Sequence, residues 1–265
     1  MRQVQSSAID LPMTFNLLER RMRWFALSLL VVLFSWRPAL AEETDKLSQA
    51  LKAAQENKSQ EAVALLSDVI KEQPDLADAY YWRGREQFRI GEIEKSLADF
   101  NKLVELKPKL EPQQWERGIT AWYAGKYELG AKQFELYQTY HDQDVENSVW
   151  RYLCVVPTEG VEKARKNMLP ISEDKRVPMM DIYEMYRGNK KPEDVLAAAK
   201  AGEPTANELK QRMFYANLYV GLYYESLGKP DLARPHILDA AKNRIGHYMG
   251  DVAVIHAKRL GKEKK

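Results

Sequence analysis

Along most of this 265-residue chain the apolar positions fall at helical spacing, and the interruptions come at regular intervals. From Ala79 to Ile90 hydrophobic residues recur every three or four positions and stop at Gly91. From Glu92 to Leu106 the residues Ile93, Leu97, Phe100 and Val104 repeat the pattern, which ends before Pro108. Two amphipathic helices joined at a glycine are therefore predicted. Pro74 and Pro108, Gly84 and Gly118, Gly91 and Gly125, and Phe100 and Phe134 each lie 34 residues apart. Ala62, Ser96 and Gly130, all small, step along at the same interval. Gly221, Gly228 and Ile237 stand 103 residues beyond Gly118, Gly125 and Phe134, which is three periods plus one. The chain thus divides at about 43–76, 77–110, 111–144, 145–178, 179–213 and 214–247, followed by a terminal helix Tyr248–Leu260. One helical pair cannot bury both of its faces, so the units must stack.

Each periodic residue has a physical reason. Gly84 in mid-helix costs about 1 kcal/mol against alanine, which points to a close approach by the next helix. Ser96 and its counterparts Ala62, Gly130 and Ala233 fall where that paired helix would cross. Gly91, Gly125 and Gly228 are placed to reverse the chain through a left-handed helix cap, and Pro230 follows at a first-turn position.

These residues carry a resemblance. The pattern Tyr80-x-x-Arg83-Gly84, Gly91, Ser96, Phe100, Pro108 resembles the tetratricopeptide repeat, as does Arg117-Gly118, Gly125, Gly130, Phe134 in the next unit. The unit with Gly221, Tyr224, Gly228, Ala233 and Ala240 is a third match, and the first unit keeps Ala62, Leu66 and Pro74. Units four and five, within 145–213, are degenerate: Tyr152 and Tyr186 stand at the small-residue position. The resemblance implies an all-α, right-handed superhelix of about six helix pairs closed by a C-terminal capping helix. The leader described next, the repeat number and the segment ANLYVGLYYESLG also resemble exported bacterial tetratricopeptide proteins of the NlpI-like type, without that group's lipid-attachment cysteine.

The N-terminus follows a different pattern. Arg20, Arg21 and Arg23 precede an unbroken apolar run, Trp24–Phe34, and Ala39-Leu40-Ala41 follows the helix-ending Pro38. A basic region, a short apolar run and an A-x-A site make a secretory signal peptide over 1–41. The run of 11 residues would rise only about 16 Å as a helix, about half a bilayer core. Cleavage after Ala41 leaves a repeat domain over 42–265, exported to the periplasm or medium; an uncleaved leader is the one route to a membrane anchor. The whole chain carries 40 basic and 38 acidic residues; without 1–41 it carries 35 and 36, a net charge of −1. The basicity belongs to the leader, and nothing suggests nucleic-acid binding. The lone Cys154, set in WRYLCVV, is read as buried.

Candidate chemistry is sparse, and no metal site or cofactor is expected. His247, Asp251 and His256 do not share one helical face, and Ser172-x-x-Lys175 lacks the motifs that accompany such a nucleophile. The basic run Lys163–Lys166 reads as a solvated helix face. The aromatics say more. By the resemblance, the first helix of each unit lines a concave groove, which here implicates Tyr81, Arg85, Phe88 and Arg89 in unit two and Trp115, Ile119, Trp122 and Tyr123 in unit three. Such rings serve as anchors for a bound peptide or protein, unless they pack against C-terminal units or a capping helix. Arg85 and Arg89 are placed to hold a carboxylate. The expected function is a non-catalytic exported adaptor. The alternatives are an envelope enzyme with its site in 145–213 and a self-associating protein whose groove receives another copy.

Overall fold

The computed structural model describes residues 37–262, with side chains from 46 to 261. The expected leader, including Trp24–Phe34, lies outside the described residues up to position 36. Residues 43–265 make the compact unit considered below.

The elements of the described residues are all helices, and the first twelve α-helices form six consecutive pairs. The first three pairs are α1 (Arg37–Gln55) with α2 (Ser59–Glu72), α3 (Ala77–Ile90) with α4 (Ile93–Leu106), and α5 (Trp115–Tyr123) with α6 (Tyr127–Tyr137). The next three are α7 (Val145–Glu159) with α8 (Val161–Lys166), α9 (Met179–Arg187) with α10 (Pro192–Lys200), and α11 (Ala206–Ser226) with α12 (Pro230–Lys242). A final helix, α13, covers Tyr248–Lys262. A 3-10 turn, Pro108–Gln113, separates α4 from α5. This is the all-α superhelix that the repeat implies.

The periodic residues do what their types require. Gly91 ends α3 at φ 84°, and its amide bonds back to Phe88, so the left-handed reversal sits where the glycine was placed. Gly125 and Gly228 also have positive φ. The Ser96 hydroxyl donates to the Gly84 carbonyl at 2.7 Å, which fixes the crossing of α3 and α4. At Gly118 an added Cβ would lie 2.7 Å from Phe134 Cζ, so the ring occupies the space a side chain would need. Pro230 occupies the first turn of α12. Cys154 is buried, and burial pushes its thiol pKa up.

Three features depart from the sequence reading. Pro38 falls in the first turn of α1 and does not end a helix. The division at 213/214 falls inside α11, which starts two turns earlier because Thr205 and Glu208 form a reciprocal capping box. The degenerate middle packs well by a different rule. Helix α8 is only 6 residues long, and the space left by the shortened second helices is filled by rings. Tyr152 and Tyr186, both fully buried, meet edge-on at 5.0 Å, Tyr186 meets Tyr223 at 5.2 Å, and the Tyr186 hydroxyl donates to the Tyr219 carbonyl.

Candidate functional site

Six of the eight expected groove residues, Arg85, Phe88, Arg89, Trp115, Trp122 and Tyr123, meet the last helix α13, so the face they make is not open. Helix α13 was expected to cap the end of the stack. It does pack on α12, the last helix of the stack, and it packs on α3 as well, with its rings reaching α5. Tyr248 is the centre of the contact. Its ring stacks on Phe88 at 4.9 Å, Trp115 meets it edge-on at 5.3 Å, and Arg85 lies over it at 5.4 Å. Its hydroxyl pairs with that of Thr120 at 3.2 Å. Trp115 also stacks on His247 at 5.9 Å.

The remaining groove positions are tied down in the same way. Arg89 donates to Asp251 Oδ2 at 3.1 Å and to the Ala54 carbonyl at 3.2 Å. Trp122 donates its indole N–H to the Leu153 carbonyl, while Arg259 lies 5.0 Å over its ring. Tyr123 Oη pairs with His256 Nδ1 at 2.9 Å, and His256 Nε2 meets Glu225. Burial favours the neutral form of Glu225, but His256 and Arg259 outweigh it and hold the carboxyl below its ordinary range. Tyr81 donates to Glu116, whose carboxyl is raised by burial against the opposing charge of Arg85. Phe88 and Ile119 are fully buried. As an empty groove the expected site is corrected: its anchors hold the chain's own last helix.

Other candidates are likewise engaged. Asp251 binds Arg89 and Arg244, while His247 and His256 face different partners, so the three do not converge. The Ser172 hydroxyl donates to Gln143 Oε1 at 2.8 Å.

Space remains beside this filled groove. A cavity of about 190 Å³ is lined by Trp115, Ile119, Phe134, Tyr137 and Trp150, with Asp144, Glu146, Asn147, Arg176, His247 and Met249 completing it. Only Trp115 and Ile119 of its wall were expected. Asp144 caps α7, accepting from the Glu146 amide, and that start of the helix brings Glu146, Asn147 and Trp150 to the cavity. Arg176, from the loop between α8 and α9, reaches back to Asp144 and Glu146, each at 2.7 Å, and to Asp174 at 2.6 Å. Tyr219 donates to the other oxygen of Glu146 at 2.6 Å. Burial, and next the charge of Asp144, push Glu146 up to about 7 despite Arg176. The available sequence signal was the capping Asp144 ahead of an aromatic-rich helix; the arrival of Arg176 depends on the loop path.

No family model matches the chain. Its fold is similar to that of a tetratricopeptide repeat protein from Parabacteroides merdae, at 16% identity over 82% of this chain and 84% of that one, with a TM-score of 0.52. Similar too are YrrB, a protein with an unusual peptide-binding site (13%, 85% and 98% covered, TM-score 0.42), and TTC0263 of Thermus thermophilus (15%, 82% and 99% covered, TM-score 0.43). The chain has a tetratricopeptide-like fold.

Proposed function

We propose that the chain is a non-catalytic interaction scaffold, exported as residues 42–265, that holds a peptide segment of a protein partner on its concave side. One observation carries this reading: the first helices grip α13 with rings and arginines, so the concave face has the chemistry of a helix or peptide receptor. The open cavity adjoins it. YrrB, of the same fold, is described as having a peptide-binding site. Among the described residues no helix is long and apolar enough to cross a membrane. The exported, NlpI-like character rests on the basic, apolar, A-x-A order of 1–41.

The raised Glu146 favours a second reading, an envelope enzyme using the 145–213 region. Its two oxygens are already taken by Arg176 and Tyr219, so neither is free to take a proton from a substrate. Self-association is the third reading; it requires the groove to accept another copy's α13 in place of its own.

Site-specific photocrosslinking tests the scaffold reading. A benzophenone side chain at Tyr137, on the cavity wall, should capture a partner peptide or protein in the native compartment. The same probe at Glu94, exposed on α4, should not. Equal capture at both positions, or none at Tyr137, would refute this site. Intact mass of exported protein should begin at Glu42; a chain retaining Trp24–Phe34 would exclude cleavage.

A further inference from the structure

The cavity beside α13 has two properties that together specify what it takes. First, its charge is unbalanced. A second hollow of about 510 Å³ shares Tyr137, Asp144 and Arg176 with it and adds Glu173, Asp174 and Lys175. In the cavity itself two carboxylates, Asp144 and Glu146, face one guanidinium, that of Arg176. Arg176 is already shared among three of the carboxylates, so an incoming anion would meet a neutralised guanidinium in a negative field.

Second, the wall of the cavity is aromatic. Trp115, Tyr137, Phe134 and Trp150 line it beside those carboxylates. Rings with negative faces next to carboxylates are the usual receptor for an organic cation.

We propose that this cavity is a recognition pocket for the cationic side chain, lysine or arginine, of a partner peptide. The charged head sits between the aromatic wall and the carboxylates of Asp144 and Glu146. The proposal rests on the scaffold reading and deepens it by naming the chemistry of the bound segment.

The test uses the mature chain and three capped peptides, acetyl-Ala-Arg-Ala-amide, its citrulline analogue and its glutamate analogue. Binding is followed through the indole N–H resonances in ¹⁵N-labelled protein, with Trp150→Phe identifying the Trp150 signal. The arginine peptide should bind about tenfold or more tightly than the citrulline peptide, a difference of about 1.4 kcal/mol. It should move the Trp150 resonance. Glu146→Gln should remove most of that preference, and added salt should reduce it.

Affinity should also fall as pH drops from 8 to 6. Glu146 then takes up a proton in a setting that contains Asp144, Asp174 and Arg176, Tyr219 and Tyr215 of α11, and His247. Equal binding of arginine and citrulline peptides would overturn the proposal, as would preference for the glutamate peptide or an unmoved Trp150 signal with all three. Should Glu146→Gln fail to fold, the arginine–citrulline comparison on the unaltered chain still decides. Capture at Tyr137 together with failure of the arginine peptide would leave the scaffold standing and remove the cation pocket; failure of capture removes the scaffold itself.

Discussion

If α13 fills the groove, Tyr248 should be the side chain whose loss the fold feels most. The ring is 1% exposed and contacts Phe88, Trp115 and Arg85, and its hydroxyl reaches Thr120. Truncating a buried aromatic to alanine costs about 3–5 kcal/mol in transfer energy and cavity. The lost hydroxyl contact adds about 1 kcal/mol. In a domain of this size 1 kcal/mol moves the melting temperature by about 2–4 °C, so Tyr248→Ala should lower it by about 8–24 °C. Tyr248→Phe keeps the stack and loses the hydroxyl alone, and should lower it by only about 2–4 °C. Thermal unfolding by circular dichroism reads both values. Hydrogen exchange then locates the loss. Amides of α13 should lose protection in Tyr248→Ala before those of α7 and α11, because the lost contacts are α13's own. A melting temperature within 2 °C of the unaltered chain would refute the reasoning, and so would equal effects of the two substitutions: either result would mean that Tyr248 does not pack in the groove.

Three further outcomes follow from the same packing. Gly118→Ala should destabilise by about 1–3 kcal/mol in denaturant titration, since the new methyl meets the Phe134 ring at 2.7 Å; Gly84→Ala, whose nearest neighbours lie at 3.3–3.4 Å, should stay within about 1 kcal/mol because helix propensity offsets the crowding, while Gly84→Val should be clearly destabilising. Arg89→Ala leaves Asp251 buried with only the more distant Arg244, and should cost about 2–4 kcal/mol; adding Asp251→Ala should recover part of that loss, and strict additivity in the double-mutant cycle would deny the coupling. Glu146 is raised in the fold, so its ionisation removes stability as pH rises from its unfolded value near 4.5 through about 7; Glu146→Gln should melt at higher temperature than the unaltered chain at pH 8, by at most about 3 kcal/mol, and show no advantage at pH 4.5.

The helices, their caps and their crossings were legible because each is a local event with a residue signature. Glycine at φ 84° after Phe88, serine under the Gly84 carbonyl and proline at the start of α12 are all chosen by contacts within one repeat. The destination of α13 was not legible for the same reason. An amphipathic pattern reports that Tyr248, Val252 and Ile255 need a cover, not which cover, and it reads alike for a helix that caps a stack and one that fills it. The path is set by the irregular middle, where Tyr152 and Tyr186 replace glycine and small helices replace long ones, so that the concave faces of units two and three come within reach of the C-terminus.

The excess of rings at Phe88, Trp115, Trp122 and Tyr123 did carry information. So many apolar groups on a face open to water would be costly, which means that something covers them. Of the two covers the sequence allowed, a bound peptide or a capping helix, the structure has the helix, and an intramolecular helix pays less association entropy than a partner for the same contacts. The positions left for a partner are therefore those that α13 does not saturate. Tyr137 and Asp144, on the wall of the cavity beside the helix, belong to that class, and neither stands at a position that the repeat register marks as groove.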